Sequence, residues 1–284
     1  MIDLHAHTTC SDGTDSPRQL INQALISGLS VVAITDHDSI AGWQEAKEAL
    51  RLNLQLVPGA EISCLTKAGV SVHMLGLLFD GENQEMAKML EETRDGRIPR
   101  MVKMIELLKA ENYEVSMEDV YAAAPLGATL GRPHLADALV NLGILKSREE
   151  AFSGLLNNGS RFYVSHLAPT PEVAIAKIRA AGGVAVIAHP FASLRGKILT
   201  QADFSPMVQA GLNGIEVDHR DQSSLERANL RDIAKELDLV VTGSSDYHGA
   251  GKVNLLGENT TDKGEWEKLE AMADQRRVAR SDSR

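Results

Sequence analysis

The chain has 284 residues, of which 43% are hydrophobic and 24% charged, and its formal net charge is -10 at pH 7. This length and composition suit a globular protein that buries a full core. The acidic balance argues against a sequence-independent clamp on duplex DNA, which needs a broad basic surface. A nucleotide or the end of a short strand can still bind at a local positive site.

The strand and helix patterns alternate in the first part of the chain, as is typical of parallel α/β folds. Ser16 and Pro17 predict a helix start, and Gly28 predicts its end. Pro58 with Gly59 is expected to end the third strand, and Asp38 is interpreted as the N-cap of the second helix. The strands are predicted at 2–4, 31–34, 54–57 and 72–78, and that second helix at 39–51.

Helical signals dominate from about residue 83 to residue 165. Ser116 with Asp119 resembles a capping box, and an apolar stripe at helical spacing predicts a core-facing side. The stripe consists of Met101, Met104, Ile105 and Leu108. We interpret 83–165 as a helical insertion, or cap, in a barrel formed by 1–82 and 166–284.

The alternation returns after residue 165. Strands are predicted at 184–188, 214–217 and 239–243, and helices at 171–181, 223–237 and 264–279, with a frayed tail from Arg280 to Arg284. No apolar run is long enough to span a bilayer, and no basic start resembles a signal peptide. The two cysteines, Cys10 and Cys64, favour a reducing compartment. A cytoplasmic location is therefore expected, and no obligate protein partner is evident.

Histidines and acids follow several of the predicted strands. His5 and His7 can reach one ion together, because residues two apart in a strand point the same way. The further candidates are Asp12, Asp36, His37, Glu61, His189, Asp246 and His248, with His73 inside a predicted strand and His134 at a predicted helix start. A lone histidine such as His73 is more often a satisfied core residue, but this many at strand ends indicates a metal site. Imidazole with carboxylate favours zinc, manganese or iron over magnesium.

Positively charged residues also occur near these motifs. Arg132 lies at a helix start in Gly-Arg-Pro-His, where free N–H groups and an arginine suit a phosphate. Arg195 and Lys197 follow His189 and are further candidates for substrate binding, although both could be solvated surface charges.

The ordered motifs resemble those of the PHP (polymerase and histidinol phosphatase) family across nearly the whole chain. They are Asp-Leu-His-Ala-His, Ser-Asp-Gly, Ile-Thr-Asp-His-Asp, Gly-Ala-Glu-Ile-Ser, His73, Gly-Arg-Pro-His, Ala-His-Pro and Ser-Asp-Tyr-His. The resemblance implies a distorted (β/α)7 barrel with two to three divalent ions. It assigns His5, His7, Glu61 and Asp246 to one ion, Asp12, His37 and His248 to a second, and Glu61, His73 and His134 to a third. Some family members carry histidine at the position of Asp12, which leaves the metal open.

The segment 83–165 and two of the motifs look most like the branch of nucleoside 3',5'-bisphosphate phosphatases and 5'→3' exoribonucleases. Three divalent ions would outweigh the carboxylates of Asp12, Glu61 and Asp246, and this positive excess suits a small phosphorylated substrate, a nucleotide or a short RNA end. We expect a metal-bound hydroxide as nucleophile, His189 to contact phosphate or protonate the leaving oxygen, and Asp36 to orient a ligand or water. A cyclic phosphate or a sugar or histidinol phosphate stays open as substrate, as do an amidohydrolase and a non-catalytic nucleotide-binding module.

Overall fold

The computed structural model describes residues 1–165, 167–274 and 278–280. Seven strands pair in chain order and curl into a nearly closed barrel, which confirms the predicted α/β barrel. A bridge between Ala6 and Tyr247 joins the chain just after the first strand to the chain just after the last. The strands are β1 (Ile2–Asp3), β2 (Val31–Ile34), β3 (Gln55–Leu65), β4 (Ser71–Leu77), β5 (Val184–Ala188), β6 (Gly214–Asp218) and β7 (Val240–Gly243).

One strand, β4, runs against its neighbours and distorts the barrel. It pairs antiparallel with both β3 and β5, whereas the other neighbouring strands of the barrel are parallel. The prediction that Pro58 and Gly59 end β3 is wrong, because the strand changes partner there instead. It pairs with β2 up to Pro58 and with β4 from Gly59 onward. A Cβ at Gly59 would lie 2.8 Å from the carbonyl oxygen of Gly76, so this close crossing requires glycine.

Helices cover the outside of the barrel. The predicted cap of the first helix is confirmed, since the Ser16 side chain accepts a hydrogen bond from the backbone N–H of Gln19. The second helix begins at Trp43 rather than near residue 39. Asp38 is therefore not its N-cap. The helices on the barrel are α1 (Pro17–Ile26), α2 (Trp43–Ala49), α8 (Pro171–Ala180), α9 (Phe204–Gln209), α10 (Ser224–Glu236) and α11 (Lys263–Ala271).

The end of the chain differs from the prediction. Helix α11 ends at Ala271, and Ala279–Arg280 form a short strand, β8, that pairs antiparallel with Gln55 and Leu56 of β3. Arg280 is thus part of the sheet rather than of a frayed tail, because β3 offers backbone groups to it there. The rest of the predicted tail, 281–284, and residues 275–277 lie outside the described residues. Within the part of the chain that is described, no helix has the length and apolar character needed to cross a membrane.

The segment between β4 and α8 is helical. Its elements are α3 (Gln84–Asp95), α4 (Arg97–Lys109), α5 (Met117–Ala123), α6 (Arg132–Asn141) and α7 (Arg148–Ser153). The predicted stripe on α4 is buried and packs with Leu135 and Leu139 of α6 in an apolar core of its own. Helix α3 instead adds Met86, Met89 and Leu90 to the barrel core. The division into barrel and cap stays a prediction.

Candidate metal centre

The polar side chains that follow the strands meet at one edge of the barrel. His5 and His7 follow β1, Asp36 and His37 follow β2, and Asp246 and His248 follow β7. The antiparallel direction of β4 brings His73, near the start of that strand, to the edge where the parallel strands end. His73 pairs with Ser63 in the register of β3, two residues from Glu61. The carboxyl edge of a barrel is the usual position of an active site.

Four side chains converge in a first group, which consists of His5, His7, Glu61 and Asp246. Nε2 of His5 lies 3.1 Å from Nε2 of His7, 3.3 Å from Oε2 of Glu61 and 3.4 Å from Oδ1 of Asp246. Nε2 of His7 lies 3.0 Å from the same Glu61 oxygen. Atoms bound to one ion at about 2.0–2.2 Å have this spacing.

Three further groups share members with the first; one consists of His5, His189 and Glu216, and the other two are as follows. His7, Asp12, His37 and His248 form one, in which Nε2 of His248 lies 3.2 Å from Oδ1 of Asp12. His37, Glu61 and His73 form the other. There, Nδ1 of His37 lies 3.1 Å from Oε2 of Glu61, and Nδ1 of His73 lies 2.7 Å from Oε1. The two Glu61 oxygens therefore face different partners, as a bridging carboxylate would.

Several of these buried atoms lack a hydrogen-bond partner although a polar atom is near. Oδ1 of Asp12, Nδ1 of His37 and Nε2 of His248 are in this state. Leaving such groups unpaired costs about 1–3 kcal/mol each, so a native site is expected to satisfy them in another way. Atoms that point to a common centre rather than at each other suit a cation. The donor set therefore fits divalent metal ions, with nitrogen and oxygen ligands as expected for zinc, manganese or iron.

The pKa values describe how strongly the centre holds positive charge. Burial alone would raise the pKa of Glu61, but His73, His37 and His5 outweigh it and hold the pKa well below its usual range. Burial would lower the pKa of His7, but Asp246 and Glu61 raise it to about 9. Burial and Lys252 together lower the pKa of His248 to about 4. Glu61 is thus ionised at neutral pH, and its buried negative charge favours bound cations.

His134 lies apart from these groups. Its ring is buried, and Nδ1 accepts a hydrogen bond from the backbone N–H of Gly131 at 3.1 Å. Burial lowers the pKa of His134, against the opposite effect of Asp12. None of the convergent groups among the described residues contains it. Its assignment to a third ion stays a prediction.

Asp36 lies behind the metal ligands. Its Oδ1 accepts hydrogen bonds from the backbone N–H of Thr8 at 2.8 Å and from the Ser11 hydroxyl at 2.6 Å. The Ser11 oxygen lies 3.3 Å from Nδ1 of His7. Asp36 therefore reaches a candidate ligand through one hydroxyl, which is a suitable arrangement for orienting His7.

His189 lies directly beside the ligands. Its Nε2 lies 3.1 Å from Oε1 of Glu61 and 3.1 Å from Nη1 of Arg195. Burial and Arg195 lower the pKa of His189 well below its usual value. The ring is neutral at pH 7, which suits a contact with phosphate more readily than the donation of a stored proton.

The predicted substrate-binding cations differ in position. Arg195 donates from Nη2 to Oδ2 of Asp246 at 2.8 Å and so lies within the centre. Arg132 donates to the side chain of Asn158, and Asn158 in turn donates to the backbone carbonyl of Arg195. One asparagine thus connects Arg132 at the start of α6 with the loop after β5 that carries Arg195. Lys197 is exposed in that loop.

The sequence reasoning missed three residues that the structure places at the centre. Glu216 on β6 contacts His5, and His219 just after β6 is fully buried beside Asp246. Lys252 donates to Oδ2 of Asp246 at 2.8 Å. Glu216 and His219 show the same sequence pattern as the other candidates, because each lies in or just after a mainly apolar run. Lys252 lies in a loop and shows no such pattern.

A distorted barrel whose edge holds convergent histidines and carboxylates beside two arginines defines a metal-dependent phosphoesterase. The PHP domain pattern matches residues 3–124. A solved structure from Bifidobacterium adolescentis, described as a candidate metal-dependent phosphoesterase, superimposes with a TM-score of 0.91 at 40% identity and covers 96% of each chain. The chain belongs to the PHP family and hydrolyses phosphate esters.

Three relatives extend this comparison over almost the full length. A 5'-3' exoribonuclease of Haemophilus influenzae is 35% identical, with 90% of this chain and 93% of that protein covered. A phosphoribosyl 1,2-cyclic phosphate 1,2-diphosphodiesterase of Eggerthella lenta is 31% identical over 90% and 97%. A 3',5'-nucleoside bisphosphate phosphatase of Chromobacterium violaceum is 31% identical over 95% and 96%. These relatives share the chemistry of phosphate esters and differ in substrate.

Proposed function

We propose that this chain hydrolyses phosphate esters of a small nucleotide-type substrate, such as a nucleoside 3',5'-bisphosphate or the 5' end of a short RNA. The observation that carries this proposal is the contact of Asn158 with both Arg132 and Arg195. Arg195 also reaches Asp246 in the centre. Two guanidinium groups at the centre and at the cap suit a substrate with two anionic groups better than a simple monoester.

The proposed metal ligands are nine residues that surround the edge of the barrel. They are His5, His7, Asp12, His37, Glu61, His73, His134, Asp246 and His248. Two or three ions of manganese, iron or zinc would bind there. When bound, such ions supply positive charge that polarises the phosphoryl group and makes a nearby water more acidic.

The protein groups would position the substrate. Arg195 binds a phosphoryl oxygen, because its guanidinium lies 2.8 Å from Asp246 and 3.1 Å from His189. His189, whose Nε2 lies 3.1 Å from Arg195, contacts the same phosphate or protonates the leaving oxygen. Arg132 binds the second anionic group, and Lys197 adds charge in the exposed loop.

The cap formed by 83–165 selects substrate size. The free thiols of Cys10 and Cys64 suit action in the cytoplasm.

The test is a screen of protein reconstituted with Mn²⁺, Fe²⁺ or Zn²⁺ against four substrate classes. These are a nucleoside 3',5'-bisphosphate, a short 5'-phosphorylated RNA, a ribose cyclic phosphate and a sugar phosphate. We expect the highest kcat/KM for the first two, and we expect Asn158→Ala to raise KM for them more than for a sugar phosphate. A preference for the cyclic phosphate would place this chain with the diphosphodiesterase instead. Turnover of an amide but of no phosphate ester would refute the proposal.

The role of His189 has its own test. His189→Asn should reduce turnover most for an ester with a poor leaving group if the ring protonates that group. Equal loss for good and poor leaving groups would leave only the phosphate contact.

A further inference from the structure

Glu216 uses both of its carboxylate oxygens inside the barrel. Oε1 lies 3.0 Å from Nδ1 of His5, and Oε2 accepts the backbone N–H of His189 at 2.9 Å. Glu216 and His5 are completely buried. One side chain on β6 therefore contacts two residues that belong to different strands and have different roles in the centre.

The contact with His5 has a consequence for the position of its ring proton. A carboxylate oxygen accepts hydrogen bonds, so the 3.0 Å contact with Glu216 places a hydrogen on Nδ1 of His5. Nε2 is then the nitrogen left to bind an ion, and it faces Glu61 and Asp246 at 3.3 and 3.4 Å. A hydrogen bond from the far nitrogen to a carboxylate is a common way to fix the tautomer and direction of a metal-binding histidine.

The contact with His189 acts on the backbone. His189 has a φ of 30°, a backbone conformation that residues other than glycine rarely adopt. Such a conformation persists only where the surroundings hold it. Two buried side chains do so here, because Glu216 accepts the N–H of His189 and Gln222 accepts the N–H of Phe191 at 2.9 Å. Gln222 has no role at His5, so the two holding contacts can be separated.

We propose that Glu216 is a positioning residue that fixes the tautomer of His5 for metal binding and, with its other oxygen, the backbone of His189. This inference rests on the proposed metal site at His5. It explains why an acid is completely buried in the middle of β6. Through Glu216, the direction of the metal ligand His5 and the placement of His189 are set by the same rigid strand.

Glu216→Gln tests this because glutamine has one accepting oxygen where two donors must be satisfied. If the oxygen stays on the N–H of His189, the amide N–H faces Nδ1 of His5. Nδ1 must then accept, and the ring hydrogen moves to Nε2, where an ion should bind. Gln222→Met is the matched control, because it removes a holding contact on the same loop, and the other contacts of Gln222 are with the backbone carbonyls of Glu216 and Val217 rather than with His5.

The measurement is isothermal titration calorimetry, in which Zn²⁺ is added to the metal-free protein. We expect Glu216→Gln to weaken Zn²⁺ binding by roughly 10- to 100-fold at one site and Gln222→Met to leave the Kd unchanged. The second readout is ¹⁵N NMR of the histidine rings in the Zn²⁺-loaded protein. In the unmodified chain, His5 should bind Zn²⁺ through Nε2 and carry a slowly exchanging hydrogen on Nδ1.

The outcomes separate this inference from the proposed metal site. If the unmodified chain binds no Zn²⁺, the metal site itself is refuted. If it binds Zn²⁺ and Glu216→Gln binds equally well, Glu216 has no positioning role. Should Glu216→Gln fail to fold, the NMR experiment on the unmodified chain decides alone, and coordination of His5 through Nδ1 would overturn the inference.

Discussion

Nζ of Lys252 lies 2.8 Å from Oδ2 of Asp246, whereas Oδ1 of the same carboxylate lies 3.4 Å from Nε2 of both His5 and His7. Arg195 also donates to Oδ2 at 2.8 Å. The two oxygens of Asp246 thus have different partners. Oδ1 faces the candidate ligand nitrogens, and Oδ2 accepts hydrogen bonds from two cationic side chains. Burial would raise the pKa of Asp246, but Lys252, His248 and His5 hold it well below its usual range.

Lys252→Met should reduce turnover without emptying the centre. Loss of a cation next to Asp246 removes charge that a bound phosphate would experience, and we expect kcat/KM to fall by roughly tenfold or more. Metal content measured by atomic emission should not decrease, because Oδ1 keeps its position. Lys88→Met, at an exposed lysine on α3, is the control. A fall in metal content equal to the fall in activity would contradict the separate roles of Oδ1 and Oδ2 of Asp246.

Removal of metal should lower the stability of the fold. Three ionised acids are buried together in the centre, and ions that bind only the folded chain stabilise it by about 2.7 kcal/mol at a free concentration of 100 times Kd. Chelation should therefore lower Tm, and addition of Mn²⁺ should restore it. An unchanged Tm after chelation, with metal absent by elemental analysis, would argue against metal binding at this centre.

The metal-free protein should become less stable as the pH rises from about 6.5 to 9. The acids near His7 raise its pKa from the ordinary histidine value of 6.5 to about 9 in the fold. A histidine with a raised pKa contributes its full stability below the unfolded value and loses it as the pH passes the folded value. The Tm of chelated protein at pH 6.5 and 9 measures this, and His7→Asn should flatten the difference. A Tm that rises over this interval would contradict the assignment.

Asp36 should act through Ser11 and Thr8 rather than by touching an ion. Asp36→Ala leaves the buried Thr8 N–H and the Ser11 hydroxyl without an acceptor, at a cost of about 1–3 kcal/mol each. His7 then loses its support, and metal affinity should fall. Asp36→Asn should recover part of both losses, because its amide oxygen can replace Oδ1. If the two variants bind metal equally, the contact through Ser11 does not orient His7.

The segment 83–165 is held to the barrel by a buried ion pair. Arg97 at the start of α4 donates to Oδ2 of Asp38 at 2.6 and 2.9 Å and to the Ser63 hydroxyl at 2.7 Å. Asp38 has a φ of 50° and follows the candidate ligand His37. Arg97→Met leaves a buried charge unpaired and should destabilise the protein by about 3–5 kcal/mol.

The double variant Arg97→Met with Asp38→Asn provides the control for that pair. It removes both charges, so the urea midpoint should return part of the way to that of the unmodified chain. If the double variant loses as much stability as Arg97→Met and Asp38→Asn together, Arg97 and Asp38 do not interact.

The strands and their end residues could be predicted because each strand is a continuous apolar run followed by polar residues. This pattern located His5, His37 and Asp246 without any knowledge of their contacts. The direction of β4 could not be predicted, since a buried strand reads the same in both directions. For that reason the partner change at Pro58 was mistaken for a strand end, and the short hairpin that joins Glu61 to His73 was not foreseen.

The roles of Asp38 and Glu216 were hidden for a different reason. Asp38 lies before a helical pattern, and local propensity favours a cap, but its partner Arg97 lies 59 residues away. Glu216 lies 211 residues from His5. Neither pairing leaves a local signal, because both depend on how distant strands and helices meet.

The bridge between Ala6 and Tyr247 has a mechanical consequence. It is a single pairing that joins the two ends of the barrel wall, and the candidate ligands His5 and His7 lie next to it on one side, with Asp246 and His248 on the other. An ion held by His5 and Asp246 would therefore act as a cross-link over nearly the whole chain, and the stabilisation expected from a cross-link increases with the length of the loop that it closes. The ion would then complete the closure of the barrel wall, and its loss would weaken the joint between the chain after β1 and the chain after β7.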